Sequence, residues 1–133
     1  MFRIKYSREA VLKILYQFDV LGLEKMTATE LLQNNIIFFK GLNKREKEFI
    51  LEIAGKVIEE KEKIDTLISQ NLIGWKLGRL MPVDRCLLRM GISESHFNDH
   101  KAIIIDDIVR IAKKYGSEDS YKIINAILDK VIQ

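Results

Sequence analysis

The sequence contains only one cysteine, one proline and seven glycines among its 133 residues. The single cysteine, Cys86, excludes an internal disulfide framework and a multi-cysteine zinc site, so a hydrophobic core must stabilise the fold. A chain of this length can bury such a core without disulfides or metal ions. We expect residues 1–133 to form one domain in a reducing compartment, with Cys86 as a buried, unreactive thiol.

Long hydrophobic runs are also missing. The longest stretch without a charged residue, Thr66 to Trp75, has ten residues, whereas a transmembrane helix needs about 20 apolar residues. The opening residues, MFRIKYSREAVL, carry charges where a secretory signal would need an apolar core. These two features predict a cytoplasmic protein without a membrane segment.

Motifs for catalysis and metal binding are absent or incomplete in the sequence, which has no glycine-rich phosphate loop. His96 and His100 have the spacing of metal ligands on a helix, but Asn98-Asp99 indicates a turn between them and no third histidine exists. Asp106 and Asp107 would point about 100° apart on a helix, so we interpret them as acids near a helix N-terminus, not as a catalytic dyad. We therefore expect no enzyme, no metal site and no cofactor.

Positive charge is modest in total but unevenly placed. The chain has 22 Lys and Arg against 19 Asp and Glu, a net charge of +3, and this excess lies within residues 1–13. Phe2 and Tyr6 alternate there with basic residues and offer rings on which unpaired bases can stack. The pattern favours contact with a polyanion, and with single-stranded nucleic acid in particular. The alternative is an ordinary solvated basic end.

Apolar residues recur every three or four positions, which is typical of amphipathic helices. Capping residues and glycines divide this pattern into seven segments. The first three run from Ser7 to Gly22, from the Thr27–Glu30 capping box to Gly41, and from Asn43 to a join near Lys61–Lys63. The next two run from Ile64 to Leu72 and from Pro82 to the His96–His100 loop. The last two run from Ile104 to Tyr115-Gly116 and from Ser117 to Val131. We expect Gly116 to adopt a left-handed conformation that ends its helix. The predicted fold class is all-α, a compact single-domain bundle of about seven helices.

Three segments carry motifs in register along nearly the whole chain. Ser7-Arg8-Glu9-Ala10-Val11, followed by Leu15-Tyr16-Gln17, is similar to the pattern R-E-x-A-x-x-x-L-Y-Q. NLIGWKLGRL, which runs into VDRCLLR, is similar to W-x-L-x-R-[IL] and V-[DE]-R-x-[IL]-L-R. IVRIAKKYGSEDSYKIINAILDK is similar to A-K-x-[FY]-G-x-E-x-S followed by K-x-[VI]-N-G-[VI]-L-D-K. Together, these motifs resemble those of the bacterial transcription antitermination factor NusB family.

The resemblance implies an all-helical regulator of transcription that has no catalytic activity. It implies binding of single-stranded boxA-type RNA together with the NusE-type small-subunit ribosomal protein. It also implies loading of the antitermination complex with other Nus factors on RNA polymerase, including in ribosomal RNA transcription. The RNA-binding residues would be Arg3, Lys5, Arg8, Tyr115, Gly116, Ser117, Asp119, Ser120 and Lys122. The protein-partner residues would be Tyr16, Arg79, Asp84 and Arg85.

Two other hypotheses remain open at this point, a helical oligomerisation or adaptor module without RNA binding and a metal-dependent enzyme. The N-terminus also departs from the family pattern, because Ile4 and Tyr6 interrupt what is usually a denser arginine run. We therefore expect weaker or more partner-dependent RNA binding. The sequence leaves the oligomeric state open, and it is compatible with a homodimer that hides the RNA-binding face.

Overall fold

The computed structural model describes residues 1–22, 30, 33–35, 39–74 and 76–133. The described residues form six α-helices and one short 3-10 helix, and no strand occurs among them. The helices are α1 (Ile4–Leu21), α2 (Lys44–Glu59), α3 (Lys61–Gln70), α4 (Pro82–Ser95), α5 (Lys101–Tyr115) and α6 (Ser120–Val131), with the 3-10 helix at Leu77–Arg79. The predicted all-α class is confirmed.

Local signals set three of the helix boundaries. Gly22 has a φ of 67° and its N–H donates to the Phe18 carbonyl, which ends α1. The Asn43 side chain accepts from the Glu46 N–H at 2.9 Å, and the Glu46 carboxylate accepts from the Asn43 N–H at 3.0 Å. This capping box opens α2. Pro82 stands in the first turn of α4, where a backbone N–H is not needed. These boundaries agree with the predictions. The predicted start of the first helix at Ser7 is wrong, because α1 begins at Ile4 and the Ser7 hydroxyl donates to the Arg3 carbonyl from inside the helix.

Part of the predicted pattern lies outside the described residues. Most of the second predicted helix, from the Thr27–Glu30 capping box to Gly41, lies outside the described residues, and Trp75 does too. Gly41 itself is described and has a φ of 79°. The predicted join near Lys61–Lys63 falls at Glu60, between α2 and α3.

The last helix begins later than predicted. Ser117 does not cap α6, which starts at Ser120 after Asp119. The Ser117 N–H donates to Ser120 Oγ at 2.8 Å, and the two hydroxyl oxygens are 3.0 Å apart, so this pair closes a turn before the helix. The prediction of a left-handed Gly116 is also wrong, because its φ of −89° and ψ of −173° are those of extended backbone.

Helix α4 lies at the centre of the fold and packs against α1, α2, α3, α5 and α6. Every residue from Cys86 to Glu94 is buried, as expected for a helix surrounded on all sides. Cys86 is fully buried, as predicted, and burial raises the pKa of its thiol to about 12. Because α4 also buries Arg89 and Glu94, these charges require ionic partners from neighbouring helices.

Aliphatic side chains fill the space around α4. The largest fully buried ones include Ile14, Leu15, Ile50, Ile53, Ile68, Leu87, Leu88, Ile92 and Ile104. Burial of one such side chain contributes about 1.5–3 kcal/mol, so the core is the main source of stability. Among the described residues, no helix combines the length and the apolar character needed to span a membrane.

Candidate nucleic-acid interface

The start of α1 and the end of α5 lie side by side on the surface, as the predicted RNA-binding face requires. Together they line one cavity of about 330 Å³, formed by Tyr6, Glu9, Ala10, Lys13, Lys114 and Tyr115. Tyr6 and Tyr115 are 46% and 38% exposed. Each ring therefore offers a surface on which an unpaired base can stack, beside lysines that can neutralise phosphates.

Glu9 holds the basic and aromatic groups of this cavity in position. Its carboxylate accepts hydrogen bonds from Lys114 Nζ at 2.8 Å, from the Tyr115 hydroxyl at 2.9 Å and from Arg110 Nη1 at 3.1 Å. Burial alone would raise the pKa of Glu9, but these donors outweigh burial and lower it to about 2. Glu9 is therefore ionised at neutral pH and anchors Tyr115 by its hydroxyl while the ring stays accessible.

Arg8 does not belong to this surface. Its side chain is 1% exposed, and its guanidinium bonds both oxygens of Glu94 at 2.8 and 2.6 Å and Asp107 Oδ2 at 2.9 Å. Every nitrogen of the guanidinium thus faces a buried carboxylate. The expectation that Arg8 contacts RNA is wrong, because a phosphate cannot reach an interior group whose donors are already paired.

The other predicted N-terminal cations, Arg3 and Lys5, are exposed. Arg3 Nε and Nη2 donate to the Glu46 carboxylate of α2 at 2.9 and 3.1 Å. The Arg3 side chain is therefore held against α2 while it stays exposed. Its guanidinium also lies 4.6 Å from the centroid of the Tyr6 ring. Arg3 therefore supports Tyr6 at the edge of the cavity.

The α5–α6 corner divides into structural and exposed residues. Ser120 is 1% exposed and is held by Ser117, so it shapes the corner from inside. Gly116 is required for space, since a Cβ atom there would lie 2.6 Å from Ser120 Oγ. Ser117, Asp119 and Lys122 are exposed, and Lys122 Nζ lies 3.4 Å from the Asp119 carboxylate. These three residues present the polar surface of the corner.

The predicted protein-partner residues fall into two groups. Tyr16, which is 40% exposed, and Arg79 are accessible. Arg85 is mostly buried and bonds Asp19 at 2.6 Å. Asp84 is only 4% exposed, and burial raises its pKa against a hydrogen bond with Ser120. The expectation that Asp84 is an exposed partner-binding charge is therefore wrong, and it is an acid in the first turn of α4.

A second cavity lies next to the first and contains the accessible partner residue Tyr16. It measures about 310 Å³ and is lined by Leu12, Lys13, Tyr16, Gln17, Val83 and Tyr115. Lys13 and Tyr115 line both cavities, so the predicted RNA-binding and protein-binding faces are adjacent. The apolar lining suits an apolar side chain from a protein partner.

Sequence reasoning missed the functions of two acidic residues. Asp107 lies beyond the first turn of α5, where it bonds Arg8 and Arg110, and it is not an acid at the helix N-terminus. Glu9 organises the first cavity, and its position inside the R-E-x-A motif was the one sequence feature that could have indicated this function.

The exposed loop after α4 holds His96 and His100, and in the part of the chain described here no group of three or more His, Cys, Asp or Glu could hold a metal ion.

Comparisons with known proteins agree on one family. The profile of the NusB family matches residues 5–133. The chain is 34% identical over 131 residues to the transcription antitermination protein NusB of Methylacidiphilum infernorum, covering 95% of this chain and 87% of the relative. It is 34% identical over 129 residues to that of Acetivibrio thermocellus, covering 96% and 86%.

Solved structures show the same similarity. NusB of T. maritima aligns with a TM-score of 0.85 and 32% identity, over 99% of this chain and 92% of that chain. A crystal structure of the antitermination factors NusB and NusE in complex with dsRNA aligns with a TM-score of 0.84 and 27% identity, over 99% and 98%. The fold described above is therefore the fold of these proteins.

Proposed function

The chain belongs to the NusB family, and on this premise we propose that it is a transcription antitermination factor that binds boxA-type RNA together with a NusE-type ribosomal protein. It helps to load the antitermination complex, with other Nus factors, on RNA polymerase, including in ribosomal RNA transcription. It acts by binding and not by catalysis, with residues 1–133 as one RNA-binding domain. Its place of action is the cytoplasm, where bacterial transcripts are made.

The cavity between α1 and α5 is the observation that carries this proposal. Tyr6 and Tyr115 supply exposed rings, and Lys13 and Lys114 supply ammonium groups beside them. Bases that are not paired can stack on the rings while the ammonium groups neutralise the phosphates between them. Lys5 and the exposed residues of the α5–α6 corner extend this surface. A structure of the antitermination factors NusB and NusE in complex with dsRNA has a similar fold, which supports RNA binding by a protein of this fold.

The protein partner is assigned to the adjacent surface that contains Tyr16 and Arg79. Tyr16 lines an apolar cavity that shares Lys13 and Tyr115 with the proposed RNA site. A NusE-type protein seated there would lie beside the bound RNA and could contact it. This arrangement supports joint binding of RNA and partner, and it agrees with the expectation that RNA affinity depends on the partner.

A titration of labelled boxA-type RNA, with and without the NusE-type protein and at several salt concentrations, tests the proposal. We expect binding that tightens with the partner and weakens with salt. Lys114→Ala should lower the affinity and flatten the plot of log K against log salt by about 0.7, the value for one phosphate contact on a single strand. Lys63→Ala is the matched control, because Lys63 is 84% exposed and lies on α3.

Three outcomes of the titration decide between the hypotheses. A salt-dependent complex that requires Lys114 supports the proposed function. Concentration-dependent self-assembly without RNA binding would favour the adaptor or oligomerisation module instead. Equal loss of affinity in Lys114→Ala and Lys63→Ala would show that the RNA is bound by net charge and not at the cavity.

A further inference from the structure

Cations and aromatic rings alternate along a surface that extends beyond the proposed RNA site. Each of three rings has a cation within about 5 Å of its centroid, a geometry typical of cation–π contacts. The pairs are Arg45 with Phe2 at 4.7 Å, Arg3 with Tyr6 at 4.6 Å, and Lys114 with Tyr115 at 5.1 Å. The last pair lies in the proposed RNA site, whereas the first joins Phe2, before α1, to Arg45 in the first turn of α2 and has no function assigned so far.

Shared neighbours connect the three pairs along one surface, which we call the track. The Arg3 N–H and guanidinium both bond Glu46, the neighbour of Arg45 in the first turn of α2. Tyr6 lines the same cavity as Lys114 and Tyr115. The segment before α1 is also fixed to α2, because Asn43 Nδ2 donates to the Met1 carbonyl at 2.7 Å. The surface therefore continues from the proposed RNA site to the start of α2.

The α2 end of this track is positively charged. Lys44, Arg45 and Lys47 are exposed, while Glu46 between them is buried and hydrogen-bonded to Arg3. The exposed acid nearby, Glu48, lies 3.9 Å from Lys44. This end therefore presents three exposed cations, and the exposed acid Glu48 lies within ion-pair distance of one of them.

Building on the proposed function, we propose that Phe2 and Arg45 form a second RNA subsite, which binds single-stranded nucleotides that flank the boxA-type element. A guanidinium plane above a ring can stack on a base and neutralise a phosphate at once. Stacking of this kind tolerates any base, so the subsite adds affinity without adding sequence specificity. Its continuity with Tyr6 allows one strand to occupy both sites.

A length series of RNA tests the subsite. We compare the boxA-type element alone with the same element extended by about six uridines on either side, within the usual range of single-strand site sizes. The measured quantity is the ratio of extended to unextended affinity, determined by fluorescence anisotropy within each variant and in the presence of the NusE-type partner. The variants are Arg45→Gln, Phe2→Leu and, as a control on α3, Lys63→Gln, with thermal melts to verify folding.

In the wild type, we expect the extension on one side to raise affinity about fivefold or more, the value for one stacked base. Arg45→Gln and Phe2→Leu should lower this ratio towards one, while Lys63→Gln should keep it. A ratio of one in the wild type, with the element itself bound, would overturn the subsite but leave the proposed function intact. A ratio that survives both substitutions would place the flanking RNA elsewhere. Failure to bind the element itself would overturn the proposed function and the subsite together.

Discussion

The Arg8 guanidinium lies between Glu94 and Asp107, and none of these three side chains is more than 5% exposed. Removing charges from water is costly, and the cost is recovered only when every polar atom is paired. Here Glu94 also accepts from Asn98 Nδ2 at 3.0 Å, and Asp107 accepts from Arg110 at 2.6 Å. Arg8 is therefore a structural residue that stabilises the contact of α1 with α4 and α5.

Arg8→Ala should destabilise the protein by about 3–5 kcal/mol, because it leaves two buried carboxylates without their shared cation. Urea unfolding followed by circular dichroism measures this loss. Lys5→Ala, an exposed change on the same helix, is the control and should stay within about 0.5 kcal/mol. An unchanged urea midpoint for Arg8→Ala, combined with weaker RNA binding, would return Arg8 to the RNA site.

Tyr115 is the residue whose proposed function depends most on side-chain orientation. If its ring stacks on a base, Tyr115→Ala should reduce RNA affinity by about 1–3 kcal/mol with little change in melting temperature. Tyr115→Phe keeps the ring and removes only the hydrogen bond to Glu9, so it should retain most of the affinity. If the ring instead completes the core, Tyr115→Ala would destabilise the fold by about 3–5 kcal/mol, and the folded fraction would bind RNA normally.

At the scale of helices, the α5–α6 junction depends on a glycine for space. A Cβ atom at Gly116 would lie 2.6 Å from Ser120 Oγ and 2.8 Å from the Ala112 carbonyl. Backbone strain is not the reason, because the φ of −89° is accessible to any residue. The close packing of α5 on α6 therefore excludes a side chain at this position.

Gly116→Ala should destabilise the protein by about 1–3 kcal/mol through overpacking. Gly55→Ala offers a matched comparison, because Gly55 lies inside α2 and a Cβ atom there meets nothing within 4 Å. This second change should stabilise the protein by about 0.5–1 kcal/mol, the usual gain of alanine over glycine in a helix. Thermal unfolding of both variants measures the contrast, and destabilisation of equal size in both would refute the steric argument.

Three helix boundaries could be predicted because their signals are local. The Asn43–Glu46 capping box, Gly22 and Pro82 each act within one helical turn, and each boundary agrees with the structure. The interior location of Arg8 could not be predicted, because its partners Glu94 and Asp107 are 86 and 99 residues away in the sequence. The same limit applies to the proposed site, where composition indicated basic and aromatic residues but could not separate buried from exposed ones.

Across the whole molecule, arginine–carboxylate pairs join the helices to one another. Arg3 and Glu46 connect the start of α1 to α2 at 2.9 Å. Arg89 of α4 bonds Asp19 of α1 and Asp65 of α3, each at 2.7 Å. With the cluster around Arg8, these pairs link α1 to α2, α3, α4 and α5. The native state therefore depends on carboxylates that remain ionised.

Acid should therefore unfold the protein partly through these carboxylates. The pKa of Glu9 falls from an ordinary value of 4.5 to about 2 in the folded state, because its three donors outweigh the effect of burial. Hydrogen bonding to Arg3 likewise lowers the pKa of Glu46 to about 2. The unfolded state binds more protons than the native state between these values, so stability is fully present above pH 4.5 and is lost as pH falls towards 2.

Glu9→Gln tests this linkage, since it removes one of the groups whose pKa is lowered on folding. The slope of unfolding free energy against pH should flatten by up to about 1.4 kcal/mol per pH unit in the acid range. Urea midpoints measured at several pH values give the slope. Lys130→Gln is the control, because it alters an exposed charge but removes no group that titrates in acid. A slope that Glu9→Gln leaves unchanged would mean that the pKa of Glu9 is the same in the folded and unfolded chain, and Glu9 would then contribute nothing to the pH dependence of stability.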